Sequence, residues 1–426
     1  MSKKLTPLSK IIDEISMGPF GSDIKVENFV SSGFPVLNGS NLSGFRLVEE
    51  EFKYVNAEKA KTYKKAIARR GDIVITHRGT LGQIVFIPDN SKYDSYVISQ
   101  SQFRVRVKRD EADPAFLVYY FHTAEGQKRL LSFKNHVGVP ALAQATTNFR
   151  LLEIPLPNLV IQQKIVSVLS AIDAKIELNN QINAELEKMA KTIYDYWFMQ
   201  FDFPDENSKP YKSSGGEMIY NHSIKRTIPK NWTDGTLEKL GEIVGGSTPS
   251  TTNQQNFSNE GTPWITPNDL SKNRGNKYIS NGETDVSPAG IKNASLKIYP
   301  KGTVLLSSRA PIGYMAIARN ELTTNQGFKS FIPNKSYSSE FIFYSLQNSL
   351  RAITQNASGS TFKEISGTTL KTIKVVLPEK KVSDDFTSKI KSIFLRQDLL
   401  EQENSELRRL RDWLLPMLMN GQVKVN

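Results

Sequence analysis

The chain contains no cysteine and only four histidines among its 426 residues: His77, His122, His136 and His222. Without thiols there is no disulfide, no Cys-ligated zinc, no iron–sulfur cluster and no thiol nucleophile. No two histidines stand at a metal-binding spacing such as His-x-x-x-His. Long apolar runs are missing too. Nothing approaches the roughly 18 residues of a membrane helix, and Met1-Ser2-Lys3-Lys4-Leu5 opens a polar stretch without the apolar centre of a signal peptide. A soluble, cytoplasmic protein is the expectation. Acidic residues fall short of basic ones, 43 against 55, which leaves a net charge of +12. That balance suits a polyanionic partner but says nothing about fold. With 38% hydrophobic and 23% charged residues the composition is globular rather than disordered. The length predicts two to three domains.

What is present is a repeat of about half the chain. Gly33-Phe34-Pro35-Val36-Leu37 returns 228 residues later as Gly261-Thr262-Pro263-Trp264-Ile265, and the two segments run on to Leu42-Ser43 and Leu270-Ser271. Arg70-Gly71-Asp72-Ile73-Val74-Ile75 returns as Lys301-Gly302-Thr303-Val304-Leu305-Leu306. Seven residues past that Gly stand Arg78 and Arg309, and four further on Gly82 and Gly313. Phe116-Leu117-Val118-Tyr119 matches Phe341-Ile342-Phe343-Tyr344, and Ile154-Pro155-Leu156-Pro157 matches Val375-Val376-Leu377-Pro378. Five matches in one order indicate a tandem duplication.

Each repeat opens with short β-rich runs punctuated by Gly, Pro, Asn and Ser. Ile73-Val74-Ile75, Ile84-Val85-Phe86-Ile87 and Phe103-Arg104-Val105-Arg106-Val107 read as strands. The last alternates apolar and basic residues, which predicts one buried and one cationic face. Helical spacing predicts a helix over 116–131. A long helix then follows each Leu-Pro. In the first, Ile165, Ile172, Asn179, Leu186 and Ile193 take heptad position a, and Val168, Ile182 and Met189 take d. In the second, Phe386, Ile393, Leu400, Leu407 and Leu414 take a, and Leu410 takes d, with the stripe leaning toward Ile390. Sustained heptads predict a coiled coil; the alternative is an amphipathic helix packed on its own domain. Asn179 either fixes the register at some cost in stability or is a buried, water-bridged residue at the seam's edge. Each helix spans about 40 residues, on the order of 60 Å.

The order domain, helix, domain, helix closes only if the second helix turns back along the first. The expected fold is therefore α+β: two tandem α/β modules separated by a long antiparallel two-helix coiled coil, in a pseudo-two-fold, circular arrangement. The boundaries are 1–157 for the first module, 158–201 for its helix, 202–233 for a linker, 234–378 for the second module, 379–420 for its helix and 421–426 for a tail. The linker is read from Pro204, Ser213-Ser214-Gly215-Gly216 and Pro229, with Trp197, Phe198, Phe201 and Phe203 anchoring it to the first helix.

No catalytic constellation is legible, so no catalytic, cofactor-binding or metal-ligating residue is assigned. There is no G-x-x-x-x-G-K-[ST] loop; Gly245-Gly246-Ser247-Thr248-Pro249 lacks the Lys. No G-x-G-x-x-G opens a helix, and no Asn-Pro-Pro-Tyr is present. Pro88-Asp89 and Pro204-Asp205 could begin a nuclease site, but both sit in turn-like sequence. His77 beside Arg78 is either a general base or, having no partner at a defined spacing, a solvated or DNA-facing residue. What remains is two divergent modules with loops rich in Arg, Lys, Asn, Gln, Ser and Thr. Arg and Lys suit guanine edges and phosphates, and Asn and Gln suit adenine edges.

These residues carry a resemblance. Met17-Gly18-Pro19-Phe20-Gly21-Ser22, Ser99-Gln100-Ser101-Gln102-Phe103 and Gln162-Gln163-Lys164-Ile165 contribute to it. Its most specific part is Trp197-Phe198-Met199-Gln200-Phe201-Asp202-Phe203-Pro204, followed by Pro210-Tyr211-Lys212-Ser213-Ser214-Gly215-Gly216 and Ile228-Pro229-Lys230-Asn231-Trp232. With them the chain resembles the specificity subunit of a type I restriction–modification system. The second helix departs from the pattern: Val382-Ser383-Asp384-Asp385 replaces the Gln-rich entry. The resemblance implies two target recognition domains, each reading one half of a bipartite, asymmetric site on double-stranded DNA. It implies helices that set the gap and carry two modification (methyltransferase) subunits, with restriction subunits beside them. The specificity subunit itself is implied to be non-catalytic and to bind no cofactor. S-adenosylmethionine for adenine methylation, and ATP and Mg²⁺ for translocation and cleavage, enter through the partners.

For DNA contacts the expected residues are Lys25, Arg46, Arg78, Arg104, Arg106 and Lys134 in the first module. In the second they are Ser247, Thr248, Asn268, Arg309, Lys329 and Lys363. Arg78 and Arg309 lead, because each follows a strand and precedes a Gly turn in both repeats; the alternative is a structural Arg tying that turn. For Arg104 and Arg106 the alternative is a solvated sheet face. Two other readings of the whole stay open: a nuclease or methyltransferase acting alone, and a coiled-coil scaffold without a DNA function.

Overall fold

The computed structural model describes residues 5–19, 24–135, 139–334, 336–359 and 363–425. Phe20, Gly21 and Ser22 of the first motif, and His136, lie outside the described residues. The chain divides into two compact units, Met1–Lys175 with Leu407–Asn426, and Ile176–Glu406. The division cuts both long helices, Leu159–Tyr194 and Lys380–Met419, rather than falling between the repeats. Each unit therefore holds the start of one helix and the end of the other. Among the described residues no helix is long and apolar enough to cross a membrane.

In the first unit a four-stranded antiparallel sheet runs in the order Ile12–Met17, Gln102–Val107, Ile73–Thr76, Ile84–Phe86. In the second unit Gly241–Gly245, Lys329–Pro333, Val304–Leu306 and Met315–Ala318 take the same order, with Tyr278–Ile279 added in parallel at the edge. The sequence repeat is thus a repeated sheet. Each module is closed by pairing its first strand with its last: Leu5–Pro7 with Glu153–Pro155, and Thr233–Thr236 with Lys374–Leu377. That pairing explains the recurring Leu-Pro, which ends the closing strand where Pro cannot donate to a ladder and leads into the helix.

The strand Ile73–Thr76 is apolar over Ile73, Val74 and Ile75 because both of its faces are buried. Ile73 and Ile75 meet Phe103, Phe116 and Tyr119, while Val74 meets Val36, Tyr96 and Val97 under a second, five-stranded sheet. The same two-sided burial overturns the cationic face expected for residues 103–107. Arg104 is 6% exposed. Its Nε donates to the Lys65 carbonyl at 3.1 Å and its Nη2 to Glu14 at 2.6 Å. Arg106 makes a two-pronged contact with Asp72, at 2.8 and 2.9 Å, and Asp72 is fully buried. Alternation marked two faces correctly, but the second layer that covers the basic one is supplied by residues 24–98.

The helix expected over 116–131 is two helices, Pro114–His122 and Ala124–Leu130. Thr123 separates them, and its hydroxyl accepts from the Gly126 amide, capping the second. Its counterpart Ser339–Gln355 is unbroken.

Within each unit the two long helices pair antiparallel. In the first, Ile165 and Leu169 share a buried cluster with Leu415, Leu418 and Met419, and Arg411 reaches Asp173 at 2.8 Å. In the second, Asn179 meets Asn404, and Gln397 meets the Asn183 carbonyl. The a positions are buried or half-buried as expected, but the second stripe lies one residue beyond d. Leu169, Ile176, Asn183 and Ala190 are buried on the first helix, and Trp197 in the wider turn Asp195–Met199 that continues it. Ile390, Gln397, Asn404, Arg411 and Leu418 are buried or half-buried on the second. Of the expected d residues, Val168 and Ile182 are half-buried, while Met189 and Leu410 are exposed. The cause is a second partner: each helix also packs on a module, as Ile165 does with Phe116 and Tyr119, and Phe386 with Phe341. The coiled coil and the amphipathic helix on its own domain are both realised, and the buried face turns to serve both. Asn179 is fully buried and donates across the seam to Asn404 and Glu403, each at 2.9 Å. Pro416 lies in the last turn of the second helix, where few further amides follow it.

The segment 202–233 is more ordered than a linker. It holds a hairpin, Met218–Asn221 with Arg226–Pro229. Trp197, Phe198, Phe201, Phe203 and Trp232 are buried in one cluster with the core of the second module.

Candidate nucleic-acid interface

In the first module four loops converge at one end of the four-stranded sheet. The strand Ile12–Met17 ends at Gly18, whose amide donates to the Gln102 carbonyl at 2.8 Å. A Cβ there would stand 1.9 Å from the Ser99 carbonyl oxygen, so only Gly permits the approach. The strand Ile73–Thr76 runs out into His77 and Arg78, and the His77 amide donates to the Ser101 carbonyl at 2.8 Å. The backbone of Arg78 bridges to Ala141, and the Leu142 amide donates to the His77 carbonyl at 2.8 Å. Residue 79 takes φ +89° and residue 82 φ +87°, values that only Gly adopts without strain. Met17, His77, Arg78, Val139, Gln144 and Thr146 line an open cleft of about 570 Å³ here. Gln144 has a left-handed backbone (φ +44°), an exposed side chain and no capping bond. A non-Gly residue held so beside a cleft is a mark of function.

The second module repeats this construction. A Cβ on Gly246 would stand 2.1 and 2.2 Å from the carbonyl oxygens of Asn325 and Thr324, and the Ser247 amide donates to Thr324 at 3.0 Å. The Ser308 amide donates to the Gly327 carbonyl at 2.7 Å, and the Ile365 amide to the Ser308 carbonyl at 3.0 Å. Arg309 bridges to Glu364 as Arg78 does to Ala141. Ala310 (φ +48°) and Gly313 (φ +100°) reproduce the turn. The Thr248 hydroxyl donates to the Gln326 side chain. Arg309 Nη1 stands 3.8 Å and Lys329 Nζ 4.0 Å from the Glu364 carboxylate.

The structure thus gathers Arg78 and Lys134, which pairs with Leu142, at one cluster. At the other it gathers Ser247, Thr248, Arg309 and Lys329, with exposed Lys363 next to Glu364. Asn268 flanks the latter: Pro267, its neighbour, and Arg309 both approach Gly327. Lys25 is exposed beside Ile24, which lines a hollow with Ser99 and Gln100, and it faces Glu27 at 3.6 Å. Three residues do not join. Arg46 donates to Asn90 at 3.0 Å, next to Phe45, which lies against Tyr119 and Arg411 on the helix side. Arg104 is inside, and Arg106 is half-buried against Asp72 and Glu14. His77 Nε2 donates to the Gln100 carbonyl at 3.1 Å, and burial pushes its pKa below the ordinary histidine value. Asp89 is clasped by Arg109, and Asp205 accepts from the amides of its own turn at residues 207 and 209.

Gln100, Gln144, Asn325, Gln326 and Glu364 stand at the clusters without having been expected there. A signal for three of them was present. Ser99-Gln100-Ser101-Gln102-Phe103 and its repeat Asn325-Gln326-Gly327-Phe328 occupy the same loop.

Arg78 is exposed and, among the described residues, faces no carboxylate. An exposed, unpaired cation of this kind is expected to meet a phosphate rather than a base. Arg78→Ala is expected to weaken DNA binding about equally on all sequences and to reduce the slope of log K against log salt by about 0.9. Salt titrations on several duplexes measure this; a loss restricted to one base pair would make Arg78 a base reader instead.

The comparisons with known proteins agree with this geometry. The family model described as "Type I restriction modification DNA specificity domain" matches twice, over residues 22–188 and 229–409. Over 195 residues the chain is 40% identical to the type I restriction enzyme MjaIX specificity subunit of Methanocaldococcus jannaschii, a match covering 45% of this chain and 44% of that one. Over 412 residues it is 26% identical to the type I restriction enzyme HindI specificity subunit of Haemophilus influenzae, covering 84% and 88%. Its fold is similar to the crystal structure of a type I restriction–modification S subunit from M. genitalium, with a TM-score of 0.59 at 15% identity, covering 97% of this chain and 95% of that one. Two copies of the family's domain on two copies of one loop cluster make the chain a member of the type I restriction–modification DNA specificity family, whose members are the DNA-recognising and non-catalytic subunits of their systems.

Proposed function

We propose that the chain reads a bipartite, asymmetric site on double-stranded DNA, one half-site per module, for a type I restriction–modification complex. The observation that carries this reading is the duplicated loop cluster. The bridge and the positive-φ turn recur in both modules, at Arg78 and Arg309, while the side chains opposite differ, Ala141 against Glu364. One scaffold with two chemistries reads two different sequences, so the site has no palindrome. The helix pair sets the gap and carries two modification subunits, which methylate adenine with S-adenosylmethionine. Restriction subunits add ATP- and Mg²⁺-dependent translocation and cleavage. Residues 1–157 and 234–378 are the two recognition domains in this reading, and the complex works in the cytoplasm.

Mapping methylated adenines after expression with the modification subunits tests it. One motif of two short blocks and an unread gap is expected. Removing a matched heptad from each helix shortens the rod by about 10 Å, so the gap should shrink by about three base pairs. A single-block motif, or a gap that the deletion leaves unchanged, would refute the reading.

A further inference from the structure

The two clusters differ in charge at the position opposite the leading Arg. In the first, Arg78 stands opposite Ala141. In the second, Glu364 stands opposite Arg309, its carboxylate 3.8 Å from the guanidinium and 4.0 Å from Lys329. Glu364 is anchored rather than loose. Its amide donates to the Ser358 carbonyl at 2.8 Å, and its carbonyl accepts from the Ser358 amide at 3.0 Å. The carboxylate itself is about 40% exposed.

We infer that Glu364, held beside Arg309, reads a C·G base pair in the half-site of the second module. The inference rests on the bipartite reading above. A carboxylate facing a phosphate would be repelled, and it compensates the cations that would otherwise attract one, so this part of the interface faces base edges. An ionised carboxylate only accepts hydrogen bonds. The donors on the major-groove edge are the amino groups of cytosine and adenine. The neighbouring guanidinium is a donor only, and its preferred base partner is guanine O6 and N7. An acceptor and a donor side by side match the adjacent N4 donor and O6 acceptor of one C·G pair. Ala141 offers no such acceptor in the first module, which leaves Arg78 to a phosphate.

The test is competition binding of the full chain, with and without modification subunits, to duplexes substituted at each position of the wild-type motif. For Glu364→Ala the preference for C·G at one position of one half-site falls about tenfold, while the other half-site and the gap stay as they were. That retention also shows the variant is folded. For Glu364→Gln the same position comes to accept A·T, because a carboxamide both donates to and accepts from adenine. Tighter binding to every duplex with unchanged base preference would overturn the inference, as would a motif that both variants leave intact. A wild-type chain that shows no bipartite motif would instead remove the reading on which the inference rests.

Discussion

Replacing Lys277 with Met lowers the stability of the unit Ile176–Glu406 by about 3 kcal/mol, the low end of the scale for breaking a buried ion pair, because Glu187 keeps a third of its side chain exposed. The Lys277 side chain is 4% exposed, and its ammonium reaches Glu187 at 2.5 Å, Gln397 at 2.9 Å and the Tyr344 hydroxyl at 3.0 Å. It lies 3.8 Å above the ring of Phe394. Burial holds its pKa below the ordinary lysine value, and the Glu187 carboxylate opposes that shift. Met fills the space but leaves the half-buried Glu187, beside Tyr344 and Gln397, with no cation. The contacts join the edge strand of the second recognition sheet to both helices, since Glu187 is on the first and Gln397 on the second. Urea unfolding followed by the fluorescence of Trp197 and Trp232, both in this unit's core, measures the loss. Lys277→Met with Glu187→Gln should recover part of it, because a neutral buried pair carries less desolvation cost. A loss below about 1 kcal/mol would show that water replaces the ammonium.

The same joint makes stability depend on pH. The Glu401 carboxylate accepts from the backbone amides of Lys277 at 2.6 Å and Tyr278 at 3.0 Å, and from Arg319 at 3.2 Å. Burial pushes its pKa up to about 7, against these three donors, and the nearby Asp398 adds to the rise. An unfolded Glu ionises near 4.5, so between about 4.5 and 7 the folded chain binds the extra proton. Stability is then greatest below pH 4.5 as far as this group is concerned, falls as pH rises to 7, and is level beyond. The full drop is on the order of 3 kcal/mol. Glu401→Gln should flatten that slope, at a cost of about 1–3 kcal/mol for the amide left without an acceptor. Denaturant unfolding of both proteins at a series of pH values separates the two effects. Equal slopes would assign the pH dependence to another group.

Much of this was legible beforehand, for reasons that differ by element. The repeat was readable because homologous strands keep apolar residues at matching places, and it returned as two sheets with one strand order. The turn after Arg78 and Arg309 was readable because its Gly residues at 82 and 313 have positive φ. The heptads located the seam but missed its second stripe by one residue. Periodicity reports that a face is buried and not what buries it, and here a helix and a module share the face. Arg104 and Arg106 failed for a related reason. A basic stripe on a strand looks solvated until the neighbouring strands of its own sheet bring Glu14 and Asp72 against it and a second sheet covers that face. Lys277, Glu401 and Glu364 gave no signal at all, since their side-chain partners are 35 to 124 residues away in the chain.

By itself, then, the sequence determined the duplication, the helices that end each copy and the polar loops that lead each Arg turn. These are local patterns, set by propensity, spacing and backbone sterics. Only the tertiary structure decided which cations are spent inside and which face outward, because that depends on the carboxylates that folding brings beside them. Arg78 is left open, Arg309 is paired with Glu364, Arg104 is closed in, and Arg106 is held half-buried on Asp72.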